Sequence, residues 1–245
     1  MIKAGTMGSV IEAVLFDIDG TLVDHDAARR AALAAQLRST HSGLSQVEVD
    51  EAHELWAALE REHFASYLAG RVSHGEQRRR RVTGLFGALG DEAEQTIEHD
   101  KWFASYLSCY EQAWTIYDDV IRALGTLAER HSTLILGVLS NGERNQQRAK
   151  LAATGIDACF SIVLTADELG CAKPEPRIFT TACELIDRPP SVVAYVGDEL
   201  DIDARAACAA GLHGIWLDRP GEEPGAHPNT ISSLHGLEHV VSDLR

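Results

Sequence analysis

The stretch that decides the fold is residues 14–24, which read Val-Leu-Phe-Asp-Ile-Asp-Gly-Thr-Leu-Val-Asp. Residues 10–16 are apolar apart from Glu12 and several are β-branched, so this segment predicts a mostly buried strand. Asp17 then follows at the C-terminal end of the strand, the edge at which open α/β sheets bind ligands. Asp17 and Asp19 can face one small volume, where they repel each other unless a cation or a shared proton relieves them. On its own, the segment also fits an ordinary acidic turn after a strand, because Asp and Gly are common in turns.

The composition limits the class of protein. The chain has 245 residues, 45% of them hydrophobic, which suffices for one large or two small domains. The net charge of -15 disfavours a nucleic-acid partner, whose phosphate backbone needs clustered Lys and Arg. No run approaches the roughly 20 apolar residues of a membrane span, and residues 1–9 lack the pattern of a signal peptide. The five scattered cysteines include no Cys-x-x-Cys, which indicates reduced thiols, and we expect a cytoplasmic protein without a membrane partner.

Helical periodicity with almost no strand signal runs from residue 27 to about residue 114. Ser45 and Ser73 each precede a Glu by three residues, the spacing of a capping box, and Asp26 is a candidate cap for the first helix. Gly70 and Gly90 follow as stop signals. Short loops between such helices predict a small antiparallel bundle. The expected helices are 27–38, 45–68, 77–89 and 92–114.

Strands alternate with helices after residue 118, a pattern that predicts a parallel sheet covered on both faces. We therefore expect an α/β fold of the Rossmann-like, doubly wound class. Its core domain comprises residues 1–23 and 119–245, and residues 24–118 form a helical domain inserted after the first strand. The expected strands are 133–139, 160–164, 192–196 and 214–217, and the expected helices are 120–129, 144–153, 176–186 and 202–210.

Polar residues gather at three later points of this α/β pattern. Ser140, Asn141 and Gly142 follow a strand and open a helix, an arrangement that suits an anion but also fits a plain N-cap. Lys173 lies between a short strand and a helix that begins with proline, and could equally be a loop lysine. Residues 197–203 carry four carboxylates after a buried strand, a pattern that suits a ligand site but also fits acidic capping of the next helix.

Taken in order, these segments resemble the haloacid dehalogenase (HAD) superfamily of hydrolases. The matching segments are residues 17–24, 140–142, 173–179 and 197–203, and the resemblance covers essentially the whole chain. The helical insert resembles the cap that subfamily I members of this family carry after the first strand, the C1 type. Glu199 departs from the pattern, because many relatives have a smaller polar residue there.

The resemblance implies a magnesium-dependent phosphatase that acts on a small phosphorylated metabolite. Asp17 would be the nucleophile and form an aspartyl-phosphate, and Asp19 would be the general acid and base. Mg²⁺ would bind Asp17, Asp198 and the backbone carbonyl of Asp19. The remaining assignments concern phosphate binding and orientation: Thr21, Ser140, Asn141 and Lys173 would surround the phosphoryl group, with the Thr21 hydroxyl fixing the turn, and Asp203 would orient Lys173 or a metal-bound water.

Three other functions fit parts of the same pattern. A 2-haloacid dehalogenase attacks carbon and needs no acid for its leaving group, so the carboxylate of Asp19 favours the phosphatase. A phosphomutase would need a cap that shields the intermediate from water. A catalytically silent binding module is disfavoured because the full set of polar residues is present. Several substrates are compatible with the sequence, and it does not identify the cap residues that select among them. The role of Glu199 and the choice between a monomer and a homodimer also stay open.

Overall fold

The computed structural model describes residues 10–41, 43–90, 98–221 and 225–244. Predictions for residues 1–9 and for the beginning of the 92–114 helix lie outside them. The chain divides into two compact units, one formed by Met1–Asp24 with Thr115–Arg245 and the other by His25–Trp114. Within the described residues, no helix is both long enough and apolar enough to cross a membrane.

The second unit is helical. Ser45 and Glu48 form a reciprocal capping box, and the Ser73 side chain accepts a hydrogen bond from the Glu76 N–H. Asp26 is not the cap that its position suggested, because the first helix begins before it and its carboxylate pairs with an arginine of the next turn. Buried aromatic and aliphatic side chains fill the interior of this unit. Its helices are α1 (His25–Thr40), α2 (Gln46–Leu68), α3 (His74–Leu89) and α4 (His99–Gln112).

The first unit contains a six-stranded sheet in which every pairing is parallel. Its strands are β1 (Ala13–Phe16), β2 (Ile135–Ser140), β3 (Ile162–Thr165), β4 (Val193–Gly197), β5 (His213–Leu217) and β6 (Thr230–Ile231). Their order is β3-β2-β1-β4-β5-β6, so β1 pairs with β2 on one side and β4 on the other. All four residues of β1 are buried, as expected for a central strand covered on both faces. The predicted α/β, doubly wound fold is confirmed; β6, with two residues, was not predicted.

Six further helices accompany this sheet among the described residues. They are α5 (Val120–Arg130), α6 (Arg144–Ala153), α7 (Ala166–Leu169), α8 (Pro176–Leu185), α9 (Arg205–Ala209) and α10 (Leu237–Asp243). The acidic segment after β4 does not lead straight into an α-helix. A turn of π-helix at Leu200–Ala204 comes first and directs the Asp203 carboxylate back to the Glu199 N–H.

The chain leaves and re-enters the α/β unit at one place. The N–H of Asp24 donates to the carbonyl of Thr115 at 2.9 Å, and the N–H of Tyr117 donates to the carbonyl of Leu22 at 3.1 Å. Both hydrogen bonds lie within the first unit. The segments that flank the helical unit therefore run side by side, a few residues beyond the end of β1.

Candidate active site

Asp17 is the first residue after β1 and is held by the sheet itself. Its N–H donates to the carbonyl of Val196 in β4 at 2.9 Å, and its side chain is buried. The turn that follows contains Gly20, whose φ is +83°. A Cβ at Gly20 would come within 2.1 Å of Asp198 Oδ2, so the turn can approach Asp198 closely only if this residue is glycine.

The Lys173 ammonium is enclosed by three oxygen atoms. Its Nζ donates to Asp17 Oδ1 at 2.7 Å, to Asp203 Oδ1 at 2.7 Å and to the Tyr195 hydroxyl at 2.8 Å. The Tyr195 hydroxyl in turn donates to the carbonyl of Leu139 at 2.8 Å. Because an ammonium has three N–H groups, these contacts use all of its donors. Lys173 is therefore fixed between the predicted nucleophile and the acidic segment after β4.

Buried charge shifts the pKa values of this cluster. Burial raises the pKa of Asp17 to about 7, opposed by Lys173 and reinforced by the nearby Asp203 and Asp19. Burial, followed by repulsion from Asp17, also raises the pKa of Asp198 well above its usual value. Burial alone would lower the pKa of Lys173, but Asp17 and Asp203 hold it well above its ordinary value. The Lys173 ammonium thus stays charged, while the raised pKa values of Asp17 and Asp198 favour their protonated forms.

Asp17, Asp198 and Asp203 are close enough together to share a cation. Ligand oxygens from the three carboxylates lie within 4.8 Å of one another. Asp203 is already engaged through both oxygens, because Oδ1 accepts from Lys173 and Oδ2 accepts from the Glu199 N–H at 3.0 Å. This geometry suits a residue that orients Lys173 better than it suits a metal ligand. It also gives the backbone of Glu199 a contact in the site.

Asp198 has more capacity to bind a metal. Its carboxylate accepts a hydrogen bond of 3.3 Å from the Thr21 hydroxyl, and its backbone carbonyl accepts one of 2.9 Å from Trp216 Nε1. In the part of the chain that the structure describes, no basic side chain forms an ion pair with Asp198. A half-buried carboxylate beside Asp17 with no cationic partner of its own fits a hard divalent cation such as Mg²⁺. Thr21 thus contacts a candidate metal ligand through its hydroxyl.

Ser140, the last residue of β2, presents a hydroxyl oriented for donation. Its Oγ accepts hydrogen bonds from the Gly142 N–H at 3.1 Å and from Gln147 Nε2 at 3.1 Å. With both lone pairs used, the O–H can act as a donor to a phosphoryl oxygen. The neighbouring Asn141 has a different contact: its side-chain amide exchanges two hydrogen bonds, of 2.9 and 2.8 Å, with the backbone of Lys173. Asn141 therefore fixes the loop that carries the lysine.

Asp19 contacts two side chains of α6. Gln147 Nε2 donates to Asp19 Oδ2 at 2.7 Å, and Lys150 Nζ donates to Asp19 Oδ1. Sequence reasoning did not single out either residue, nor Tyr195. The signal available for the first two was polar side chains three positions apart on the helix that follows Ser140, a spacing that places them on one face.

Hydrogen bonds join the predicted site residues in smaller sets. Lys173 contacts Asp17, Asn141 and Asp203, and Gln147 connects Asp19 with Ser140. Thr21 contacts Asp198, whose carboxylate oxygens lie within 4.8 Å of those of Asp17 and Asp203. What each residue does in a reaction stays a prediction.

Residues 11–211 match the family model described as haloacid dehalogenase-like hydrolase. The chain belongs to this family. The predicted family and the predicted hydrolase class are thereby confirmed. The matched residues include the whole site, from the strand before Asp17 to the acidic segment after β4.

Named proteins similar to this member of the family include two phosphatases. Human N-acylneuraminate-9-phosphatase is 30% identical over 223 residues, which cover 88% of this chain and 86% of the relative. Glyceraldehyde 3-phosphate phosphatase of Methanopyrus kandleri is 33% identical over 214 residues, which cover 86% and 85%. Among solved structures, a 2-haloacid dehalogenase from Pseudomonas syringae pv. Tomato is 27% identical with a TM-score of 0.65, and the match covers 96% of this chain and all of that one.

Proposed function

We propose that this protein is a magnesium-dependent phosphatase that hydrolyses a small phosphomonoester through an aspartyl-phosphate on Asp17. The observation that carries the proposal is the charge arrangement around Asp17. Lys173 compensates Asp17 and Asp203 together, whereas Asp198 lies beside them without a cationic partner among the described residues. The similarity to two phosphatases along most of the chain supports the same chemistry.

The proposed reaction has two steps. In the first, Asp17 forms a bond to phosphorus, the bond from phosphorus to the leaving oxygen breaks, and Asp19 gives that oxygen a proton. In the second, Asp19 takes a proton from water, whose oxygen bonds to phosphorus and releases Asp17. The Ser140 hydroxyl and the N–H of Asn141 bind phosphoryl oxygens, where negative charge is stabilised. Lys173 balances the charge of Asp17 and binds the phosphoryl group if it exchanges one of its present contacts.

Mg²⁺ bound to Asp17, Asp198 and the carbonyl of Asp19 would neutralise charge between nucleophile and phosphate. Asp203 and the backbone of Glu199 hold Lys173 in place rather than the ion. The helical unit acts as the cap that selects the substrate, as the resemblance implies. The enzyme acts in the cytoplasm on a small phosphorylated metabolite.

A 2-haloacid dehalogenase is the second candidate, favoured by the similarity to one such structure. Attack on carbon with loss of halide needs no proton for the leaving group. A carboxylate at Asp19, hydrogen-bonded through both oxygens, therefore has no evident use in that reaction. It has a direct use in phosphate ester hydrolysis, where an alkoxide leaves.

The test is release of phosphate from a panel of phosphomonoesters, with Mg²⁺ and with a chelator. The panel includes N-acylneuraminate 9-phosphate and glyceraldehyde 3-phosphate. Wild type, Asp17→Asn and the exposed control Asp157→Asn are compared at equal concentration. We expect metal-dependent release that is lost in Asp17→Asn and kept in Asp157→Asn. Absence of release in wild type, with halide release from 2-haloacids, would overturn the proposal in favour of the dehalogenase.

A further inference from the structure

Helix α6 carries two buried polar side chains that the reaction described above does not use. Gln147 and Lys150 are each 1% exposed. They lie three residues apart and so occupy one face of the helix. The N-terminus of the helix is fixed by Glu143, whose carboxylate accepts hydrogen bonds from the first-turn N–H groups of Asn145 and Gln146 at 3.0 and 3.1 Å. The two side chains therefore project from a capped and ordered element.

Lys150 forms an ion pair with the proposed acid and base. Burying an ammonium is costly unless a negative charge lies next to it. Its Nζ donates to Asp19 Oδ1, and the Asp19 side chain is 29% exposed, against 1% for Lys150. The lysine thus reaches the carboxylate from inside the protein, and the exposed part of Asp19 stays accessible to a reactant.

Gln147 connects Asp19 to the phosphate-binding hydroxyl. Its Nε2 lies 2.7 Å from Asp19 Oδ2 and 3.1 Å from Ser140 Oγ. Gly142 makes this position available, because a Cβ there would come within 1.9 Å of Gln147 Nε2. One amide group therefore sets the separation between the group that moves the proton and the group that binds the phosphoryl oxygen.

We propose that Gln147 and Lys150 are positioning residues for Asp19, which hold its two carboxylate oxygens in the orientation for proton transfer. This inference rests on the proposed phosphatase function. Each carboxylate oxygen has two lone pairs, so accepting one hydrogen bond does not by itself prevent it from carrying the transferred proton. The proton passes from Asp19 to the leaving oxygen as its bond to phosphorus breaks, and returns from water in the second step. Neither Gln147 nor Lys150 exchanges a proton itself.

The test compares two substrates whose leaving groups differ in how strongly they depend on protonation by Asp19. A p-nitrophenyl phosphate releases an acidic phenol and depends little on protonation, whereas an alkyl phosphate depends on it strongly. We expect Lys150→Met to lower kcat/KM about 100-fold for the alkyl ester, the range of a lost acid–base contribution, and less than about 5-fold for the aryl ester, because kcat/KM covers only the steps up to release of the alcohol or phenol. The second step, in which Asp19 takes a proton from water, is common to both substrates and lowers kcat for both. Gln147→Met shows the same selectivity with a smaller loss, and Lys150→Arg restores part of the alkyl activity.

A second comparison shows whether the two residues act through Asp19. In an Asp19→Asn background, Lys150→Met should cause no further loss of kcat, because residues that act as a unit are not additive. Arg148→Met, an exposed cationic neighbour on α6, is the matched control and should match wild type. Thermal unfolding verifies folding, and Gln147→Met carries the test if Lys150→Met does not fold. Equal losses of kcat/KM on both esters, or additive losses with Asp19→Asn, would overturn this inference and leave the proposed function standing. An inactive wild type would overturn the proposed function with it.

Discussion

Lys173 and Asp17 form a buried ion pair, with 2.7 Å between Nζ and Oδ1, and the same ammonium lies 2.7 Å from Asp203 Oδ1. One positive charge is thereby shared between two carboxylates. The sharing keeps the lysine charged, and it leaves Asp17 short of enough compensation to stay ionised at every physiological pH. The predictions below depend on this balance and on the contacts that surround it.

Replacement of Lys173 by methionine should lower kcat/KM by about 100- to 1,000-fold, the cost typical of losing one electrostatic contact in an active site. The reason is that Asp17 and Asp203 would face each other and an incoming phosphate without the ammonium. Steady-state kinetics on the best substrate of the panel measures the loss. Arg177→Met, on an exposed cation four positions along the chain, is the control and should leave kcat/KM near wild type. Similar kinetics for both variants would show that Lys173 has no such role.

Mg²⁺ should raise the melting temperature more at pH 8 than at pH 5.5. Asp17 releases its proton near pH 7 in the folded, metal-free protein but near pH 4 when unfolded. The folded state therefore binds more protons between these values, and the metal-free protein loses stability as pH rises from about 4 to 7. Mg²⁺ competes with that proton for the Asp17 carboxylate, so it binds more tightly at pH 8, where the carboxylate is deprotonated. Differential scanning calorimetry with Mg²⁺ or chelator measures the difference.

Two variants check the source of this pH dependence. Asp198→Asn should lose the Mg²⁺-induced rise at both pH values, because it removes a proposed ligand. Asp17→Asn should also lose the decline of metal-free stability between pH 4 and 7. An equal rise with Mg²⁺ at pH 5.5 and pH 8 in wild type would contradict the prediction.

Gly142→Ala should lower kcat by displacing Gln147, because the new Cβ would overlap Gln147 Nε2. The displaced amide loses its hydrogen bonds to both Asp19 and Ser140. We expect a loss of about 10-fold, within the range for a positioned acid or base moved from its best geometry. In a Gln147→Ala background the same substitution should have little further effect. A full additional loss there would mean that Gly142 matters for another reason.

The helical unit has a half-buried charge cluster of its own, centred on Glu60. Its carboxylate lies 2.9 Å from Arg81, 3.2 Å from Arg29 and 3.2 Å from His25. Burial alone would raise the pKa of Glu60, but Arg81, followed by His25 and Arg29, holds it well below its usual value. Glu60→Gln should destabilise the protein by about 2–4 kcal/mol, because the buried Arg81 loses its carboxylate partner and Arg29 keeps only Asp26.

Urea unfolding followed by circular dichroism measures that loss. The stabilisation by Glu60 is fully present above the unfolded pKa, about 4.3, and is lost as pH falls toward the lower folded value. The difference between wild type and Glu60→Gln should therefore shrink only in acid. Glu54→Gln on the same helix is the control, since its side chain is 73% exposed and surface ion pairs contribute about 0–1 kcal/mol. Equal effects from the two substitutions would contradict the buried role of Glu60.

Part of the site could be predicted because its residues adjoin strand ends. Asp17, Ser140 and Asp198 adjoin the carboxyl ends of three neighbouring parallel strands, which meet at one edge of the sheet. Their proximity therefore follows from the alternation of strands and helices alone. Lys173 comes after a short helix that was not predicted; the proline-rich start of the next helix drew attention to it, and its phosphate-binding role came from the resemblance.

Other contacts could not be predicted because they depend on which side of an element faces inward. Gln147 and Lys150 lie on a helix rich in polar residues, where such side chains usually face solvent, yet both are buried. In the sequence, Tyr195 is one residue of an apolar strand. That its hydroxyl accepts a hydrogen bond from Lys173 follows only from the position of Lys173 in three dimensions. The π-helical turn before Arg205 leaves no pattern in the sequence, although it directs Asp203 to the lysine.

The hydrogen bond between Asp24 and Thr115 also has an evolutionary consequence. In the folding of the α/β unit, residues 25–114 count as one long loop, and the hydrogen bond between Asp24 and Thr115 holds the two ends of that loop together. The entropic cost of closing a loop rises by only about 0.6 kcal/mol for each doubling of its length. Insertions, deletions or wholesale replacement between residues 25 and 114 therefore cost the sheet little. Descendants of one ancestral sheet can inherit the strand that carries Asp17 unchanged while they diverge in the segment inserted after it.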